Sequence, residues 1–408
     1  MKNNIFLLLP NLSGGGQEKV ASRLSFAFVN SYNVRIVLFQ RKVNYPYAGN
    51  LTIFHSQANR NFLWKIKEVH KRINLLKKYI ELDKPKAIIS FGESANLVNI
   101  LTPKKKSKTI LSIHQDFSQN FEIGKVYKEL HLIAYRFLYK RANRIITVSK
   151  RIENYLIERF KISQNKVKTI YNPIEVEEVK RKLKEALEEY EFLKSFPYLI
   201  NVGRLSKQKG QWYLIRIFKN LKKKYKDLKL VILGEGELKD YLVELSQNLG
   251  LKTYVWDRDK LNESYDVYFL GFQENPYKFI KHSKAFVFTS LWEGFGNVLV
   301  EALAVGKTII STDCRTGPRE ILAPKTDFLL ETNKPQLEEF GILMLTFERK
   351  LLKANEPLTP QEKIWIDTLV EVLNNESLLR DYERKAPLRA EDFHIDKIAK
   401  QWLEVIEE

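Results

Sequence analysis

Short apolar runs recur along the chain, each followed by a polar, glycine-bearing turn and then by apolar residues at helical spacing. In the first half these runs predict strands at Asn4–Leu9, Val34–Phe39, Thr52–His55, Ala87–Phe91, Thr109–Ile113 and Arg144–Val148. In the second half they predict strands at Tyr198–Val202, Lys229–Leu233, Val267–Leu270, Ala285–Phe288, Thr308–Ser311 and Phe328–Leu330. Helix-length segments separate them, such as the one running through Val20, Leu24 and Phe28 and the one from Trp212 to Phe218. Strands alternating with helices predict parallel βαβ units, so the fold class is α/β with a parallel sheet in each half. Asn172-Pro173 closes the first series, and the charged stretch Glu175–Lys194 reads as a connecting helix. Asp257–Tyr265 and Lys334–Pro360 read as polar insertions, and helices are expected at Gln361–Asn374, Glu376–Lys385 and Ile395–Ile406. The domain division is therefore 1–174, 175–390 and a terminal segment 391–408 whose Trp402 is expected to pack back across the domains.

The densest chemistry lies in Ser290–Leu322. Glu293 and Glu301 flank Gly294, Phe295, Gly296 and Asn297, just after the predicted strand Ala285–Phe288. The pattern predicts a helix from Asn297 to Val305, with Val298, Leu299, Ala302 and Leu303 buried and Gly306 closing it. The amino end of such a helix is an anion site, because its first N–H groups lack intrahelical partners and its dipole favours negative charge. Glu293 would sit before the helix and Glu301 one turn inside it, able to reach different ends of one ligand. Taken in isolation, the same spacing also describes two solvated glutamates beside a Gly-rich turn.

Other strand ends add to the picture. Gly203-Arg204-Leu205-Ser206-Lys207-Gln208-Lys209-Gly210 follows one strand, and there Arg204 and Lys209 could hold a diphosphate or simply be surface cations. Gly234 and Gly236 follow another in a Gly-x-Gly turn. Near the amino terminus, Gly14, Gly15 and Gly16 form a turn between strand and helix without the G-x-G-x-x-G spacing. His114 ends a strand at the carboxyl edge, where open α/β sheets bind ligands, or is a polar loop histidine. No His/Cys/Asp cluster has metal-ligand spacing, and no metal site is expected.

Length and composition add three bounds. A chain of 408 residues with 44% hydrophobic content suits two globular domains. The single cysteine, Cys314, excludes an intramolecular disulfide framework and fits a reducing compartment. No apolar run approaches the length of a membrane-spanning helix and no secretory signal is read, so a cytoplasmic location is expected. Charge is divided unevenly: residues 1–174 carry 31 Lys/Arg against 10 Asp/Glu, whereas residues 175–408 carry 37 against 39. The basic first half calls for an acidic partner such as anionic lipid, nucleic acid or a phosphorylated acceptor. Phe62–Asp83 contributes a basic amphipathic helix whose apolar face, Phe62, Ile66, Val69, Ile73, Leu76 and Ile80, suits either sheet packing or a membrane surface. Lys104–Lys108 and the aromatic, basic stretch Lys125–Arg144 extend the basic surface.

In this order, the Gly14–Gly16 loop, His114, Val148-Ser149-Lys150, Asn172-Pro173-Ile174, Gly203-Arg204 with Lys209-Gly210, Gly234-Glu235-Gly236, Glu293-Gly294-Phe295-Gly296 and Glu301 resemble retaining glycosyltransferases of family 4, of the GT-B fold. The resemblance covers nearly the whole chain and implies two Rossmann-like domains facing a cleft, the first binding acceptor and the second a nucleotide sugar. It implies that Arg204 and Lys209 bind the donor diphosphate in place of a metal, with no cofactor required. Glu301 would bond the ribose, Glu293 would face the donor sugar, and Gly296 and Asn297 would lie near sugar and phosphate. His114 and Gly14–Gly16 would contribute from the opposite domain. Gly317-Pro318-Arg319-Glu320-Ile321-Leu322 is similar to bacterial members that build lipopolysaccharide, capsule or lipid-linked oligosaccharides.

The resulting expectation is transfer, with retention, of a hexose or N-acetylhexosamine from a nucleotide sugar, UDP preferred, to a lipid-linked glycan. The enzyme would lie peripherally on the inner face of the membrane, held through its basic first domain. Two alternatives were weighed: a GT-B epimerase or phosphorylase on soluble substrates, and a basic nucleic-acid-binding α/β protein. The first leaves the basic half unexplained. The second leaves Glu293 and Glu301 without a role and lacks a recognisable motif, so no nucleic acid is expected.

Overall fold

The computed structural model describes residues 2–56, 62–117 and 125–408; the side chains of Phe62, Leu63 and Lys125–His131 lie outside that description. The chain forms two compact units, Met1–Glu175 with Phe393–Glu408, and Val176–Asp392.

The first unit has seven strands: β1 Asn4–Leu9, β2 Asn33–Leu38, β3 Asn50–Ile53, β4 Ala87–Phe91, β5 Lys108–Ile113, β6 Arg144–Thr147 and β7 Val167–Thr169. They pair in the order β3-β2-β1-β4-β5-β6-β7, all parallel. Helices α1 Gly16–Phe28, α2 Phe62–Asp83, α3 Glu93–Leu101, α4 Lys125–Tyr139 and α5 Lys150–Glu158 form the crossovers. All six expected strands are present; the short β7 had no apolar run to announce it. Among the described side chains of the face expected along α2, Leu76 and Ile80 are buried, whereas Ile66 is 53% exposed.

The second unit contains α6 Val176–Lys182, β8 Tyr198–Val202, α7 Gln211–Lys224, β9 Lys229–Leu233, α8 Lys239–Asn248, β10 Thr253–Val255, β11 Val267–Phe269, α9 Tyr277–His282, β12 Ala285–Phe288, α10 Asn297–Val305, β13 Ile309–Thr312, α11 Pro318–Leu322, β14 Gln336–Glu338, β15 Gly341–Met344, α12 Pro360–Leu373 and α13 Glu376–Ala390. The sheet order is β10-β11-β9-β8-β12-β13-β15-β14, parallel except for the β14–β15 pair. Its core is built on α7, whose Trp212, Leu214, Ile215, Ile217 and Phe218 are fully buried with Trp365 of α12. At roughly 1.5–3 kcal/mol per large apolar side chain removed from water, this cluster fixes how the helices seat on the sheet.

Four expectations need correction. Glu175–Lys194 is not one helix: α6 stops at Lys182, and a 3₁₀ turn follows at Glu188–Ser195. The carbonyls of Leu183 and Ala186 accept from the Lys281 and Lys278 ammoniums, and that of Lys182 accepts from Asn275 as well as from the Glu185 amide of its own turn. Phe328–Leu330 is a turn rather than a strand, with Leu329 and Leu330 about half exposed. Lys334–Pro360 is not merely an insertion, because it supplies β14 and β15, and β15 pairs with β13 inside the sheet. Finally, α13 continues through Pro387 to Ala390, where Arg389 donates to the carbonyls of Glu320 and Ile321 and so anchors the last turn.

The terminal helix α14, Ile395–Glu407, belongs to the first unit and packs beside α1, with Trp402 and Ile406 buried in that core. Its acidic end meets the basic starts of successive strands. Glu407 pairs with Lys86, Glu408 with Arg144 at 2.9 Å and Glu404 with Lys168 at 3.7 Å, while Lys108 caps the carbonyls of Ile406 and Glu407. Some of the first half's excess positive charge is therefore answered by the end of the chain.

Candidate active site

The first sheet reverses strand order between β1 and β4, and the second does so near its centre between β8 and β12. At such a switch point the flanking loops part, leaving a crevice at the carboxyl edge. The sequence-predicted residues of the second unit gather on the loops after β8, β9 and β12.

Helix α10 has the predicted bounds, set by left-handed glycines at both ends, Gly296 with φ +94° and Gly306 with φ +82°. A side chain at either position would strain the backbone, so the helix starts and stops by local chemistry. Its N-cap, Gly296, has no side chain with which to cap the first amides. Glu293 lies in the loop ahead of it and Glu301 within it, each 7% exposed.

Lys209 ends a 3₁₀ turn after β8, and its ammonium lies 2.5 Å from the Glu293 carboxylate. Gln208 donates to the Trp292 carbonyl at 2.9 Å and to the other Glu293 oxygen at 3.2 Å. Thr316 donates to the Glu293 backbone carbonyl, so the β8 loop holds the carboxylate and the loop after β13 holds the main chain of this residue. Arg204 projects outward, 72% exposed, and pairs with Glu237 at 3.1 Å. Gly203 and Gly234 meet backbone to backbone: Gly203 N–H donates to the Leu233 carbonyl, and a Cβ on Gly234 would lie 2.1 Å from the Gly203 carbonyl oxygen. Gly236 is equally close to Leu205, so this Gly-x-Gly turn is required to interlock the two loops whatever ligand approaches it. Gly294 belongs to the same β12 loop, Phe295 is buried, and burial pushes the nearby Cys314 thiol well up.

In the first unit, Gly15 is the N-cap of α1, Gly14 precedes it in a left-handed conformation, and Gly16 opens the helix. The carboxyl edge there encloses a cavity of about 380 Å³ lined by Gln17, Glu93, Asn96, His114, Gln115 and Tyr139 among others. His114 shares a 2.8 Å hydrogen bond with Ser112 through Nε2 and lies against Phe91, which in turn touches Trp402 of α14. Burial pushes the His114 imidazole down to about 3, so it is neutral in this cavity at physiological pH. The unfolded chain takes up that proton near 6.5, so folding stability should fall as pH drops through the interval between about 6.5 and 3. A His114→Asn variant should lose less stability than the wild type between pH 7 and pH 5 in urea titrations; parallel losses would mean that His114 is not buried neutral.

Sequence reasoning missed Gln208 as a partner of Glu293, Glu237 as a partner of Arg204, and the cavity residues Gln17, Glu93, Asn96 and Gln115. The strand-end rule that singled out His114 applies equally to Gly92-Glu93-Ser94 after β4.

Two family descriptions match the chain: Glycosyltransferase Family 4 over residues 14–178 and Glycosyl transferases group 1 over residues 184–342. An uncharacterized glycosyltransferase of Methanocaldococcus jannaschii is 37% identical over 371 residues, covering 88% of this chain and 87% of that protein. The chain therefore belongs to the glycosyltransferases, with the two parallel-sheet domains of the GT-B fold, and is an enzyme of that class. The N-acetylgalactosamine-N,N'-diacetylbacillosaminyl-diphospho-undecaprenol 4-alpha-N-acetylgalactosaminyltransferase of Campylobacter jejuni is 28% identical over 413 residues, covering 98% of each chain. HepE of Anabaena, solved with UDP and glucose, superposes with a TM-score of 0.71 at 17% identity over 99% of each chain.

Proposed function

We propose that the protein transfers a hexose or N-acetylhexosamine, with retention, from a UDP-sugar to a lipid-linked glycan of the kind used for lipopolysaccharide, capsule or oligosaccharide assembly. The observation that carries this reading is the Lys209–Glu293 pair at the second switch point, in the loops directly before the glycine-started amino end of α10. Breaking a sugar–diphosphate bond develops negative charge on the leaving phosphate, and cations already aimed at that spot lower the barrier without reorganising. Lys209 and the α10 N–H groups supply that positive potential in place, Arg204 joins them by turning inward from its pair with Glu237, and no metal or other cofactor is required in this reading. Lys209, shared with the diphosphate, leaves Glu293 to accept donor-sugar hydroxyls, while Glu301 binds the ribose.

The neutral His114 and the polar cavity of the first unit suit an acceptor sugar, with His114 and Glu293 acting in positioning and electrostatics rather than as a dedicated base. Gly14–Gly16 backs this cavity through Gln17. Front-face attack, in which the departing phosphate takes the acceptor proton, gives retention without a covalent intermediate. The Campylobacter relative acts on a diphospho-undecaprenol carrier, which supports a lipid-linked acceptor. Anionic lipid is the partner proposed for the basic first unit, where Ile133 and Phe137 of α4 are at least half exposed beside Arg136 and Lys140. No helix among the described residues is long and apolar enough to cross a membrane, and the proposed location is the cytoplasmic face, peripherally bound.

Calorimetry with UDP-glucose, UDP-galactose, their N-acetyl forms and GDP-mannose tests the donor. One UDP-sugar should bind selectively and independently of chelator, and binding of GDP-mannose alone would overturn the UDP assignment. Co-sedimentation with phosphatidylglycerol vesicles but not phosphatidylcholine vesicles tests the membrane arm; equal behaviour with both would remove it.

A further inference from the structure

The segment after β15 has no part in the site as described, yet it is held with unusual care. Phe347 stacks on Tyr213 of α7, ring centroids 4.2 Å apart and nearly parallel, and the Tyr213 hydroxyl donates to the Glu348 carbonyl at 2.8 Å. Leu352 exchanges hydrogen bonds with the Tyr241 hydroxyl of α8, at 2.7 and 3.1 Å. Farther along, the fully buried Arg216 of α7 donates to the carbonyls of Lys353, Glu356 and Pro357 at 2.6 to 3.0 Å, while its Nε meets Glu362 of α12 at 2.6 Å. A surface loop needs none of this. The segment from Phe347 to Pro357 is a strap fastened across α7, α8 and α12.

Between its first two fastenings the strap carries Arg349, whose guanidinium lies over the Trp292 ring, 4.6 Å from the centroid. Trp292 immediately precedes Glu293. The loop of these two residues is fixed at Ser290 by Thr312, at Glu293 by Thr316, and along Leu291 and Trp292 by Gln208. Those contacts all hold backbone groups. Arg349 holds the Trp292 side chain, and a cation seated on an indole face restricts the ring in a way that backbone bonds do not.

We infer that Arg349 is a positioning residue: through Trp292, the strap sets where the Glu293 carboxylate meets the donor sugar. This inference rests on the reading of Glu293 as the donor-sugar carboxylate. It weights two parts of the donor differently, because Arg349 acts on Glu293 through Trp292, whereas the diphosphate cation Lys209 sits on the β8 loop and is affected only through its pairing with Glu293.

The test compares UDP with the UDP-sugar that the wild type binds best, by calorimetry on the full-length chain. Arg349→Ala should weaken UDP-sugar binding by roughly three- to ten-fold, the worth of one partly exposed cation–π contact, and UDP binding by less than about two-fold. Arg349→Lys, which keeps a cation over the ring, should recover part of the loss. A merely structural role would lower both affinities by the same factor, and that result, like no change in either, would overturn the inference. Wild-type protein that bound neither ligand would instead remove the donor reading itself, and this inference with it.

Discussion

Lys209→Ala should lower release of nucleoside diphosphate from the bound sugar nucleotide by about a hundred- to a thousand-fold, the usual loss when one preorganised charge-stabilising group is removed. The same change also breaks a largely buried ion pair, since Lys209 and Glu293 side chains are 17% and 8% exposed. Leaving Glu293 with Gln208 as its remaining side-chain partner will cost stability, so a loss of activity alone would be ambiguous. The double variant Lys209→Met/Glu293→Gln resolves this. It removes both charges from a site backed by Phe288, over whose ring the ammonium lies at 5.3 Å, and should regain most of the lost thermal stability. Activity should remain as low as in Lys209→Ala. Recovery of activity together with stability would show that Lys209 serves folding rather than catalysis.

The largest stability effect is expected at Arg216→Ala. Arg216 and Glu362 side chains are 1% and 0% exposed, and Glu362 also closes the capping box that starts α12 with Thr359. Removing the guanidinium strands a buried carboxylate and the strap carbonyls it serves. Breaking one side of such a pair costs about 3–5 kcal/mol, and for a unit of this size that corresponds to roughly 6–20 °C in unfolding temperature. Arg216→Met/Glu362→Leu removes the stranded charge and should recover part of the loss, though the carbonyls of Lys353, Glu356 and Pro357 stay without their donor. Calorimetric unfolding measures both; a shift below about 2 °C in Arg216→Ala would mean that water reaches this pair.

The two predictions differ in how far their residues could be read without the structure. Lys209 stood out because a lysine and an arginine follow a strand end between glycines, a pattern that carries meaning locally. Arg216 did not, because on the sequence it is one more basic residue in a helix rich in lysine, and its partner lies 146 positions away. The same contrast runs through the site. Glu293, Glu301 and the bounds of α10 were legible because glycines at each end of a short apolar helix dictate where it begins and stops. The contact of Glu293 with Lys209, 84 positions apart, was not.

By itself, then, the sequence determined the strand and helix alternation, the two-domain division, the carboxyl-edge position of the candidate residues and the span of α10. Each of these follows from side-chain period, glycine conformation and strand-end geometry, which act over a few neighbouring residues. Tertiary structure decided the break after α6, whose carbonyls were taken by Asn275 and two lysines of α9. It also decided the entry of β15 into the sheet and the pairing of the acidic end of α14 with the strand starts. It fastened the strap that carries Arg349 to Trp292. Each of these contacts joins residues far apart in the chain, which side-chain period and local turn chemistry do not encode.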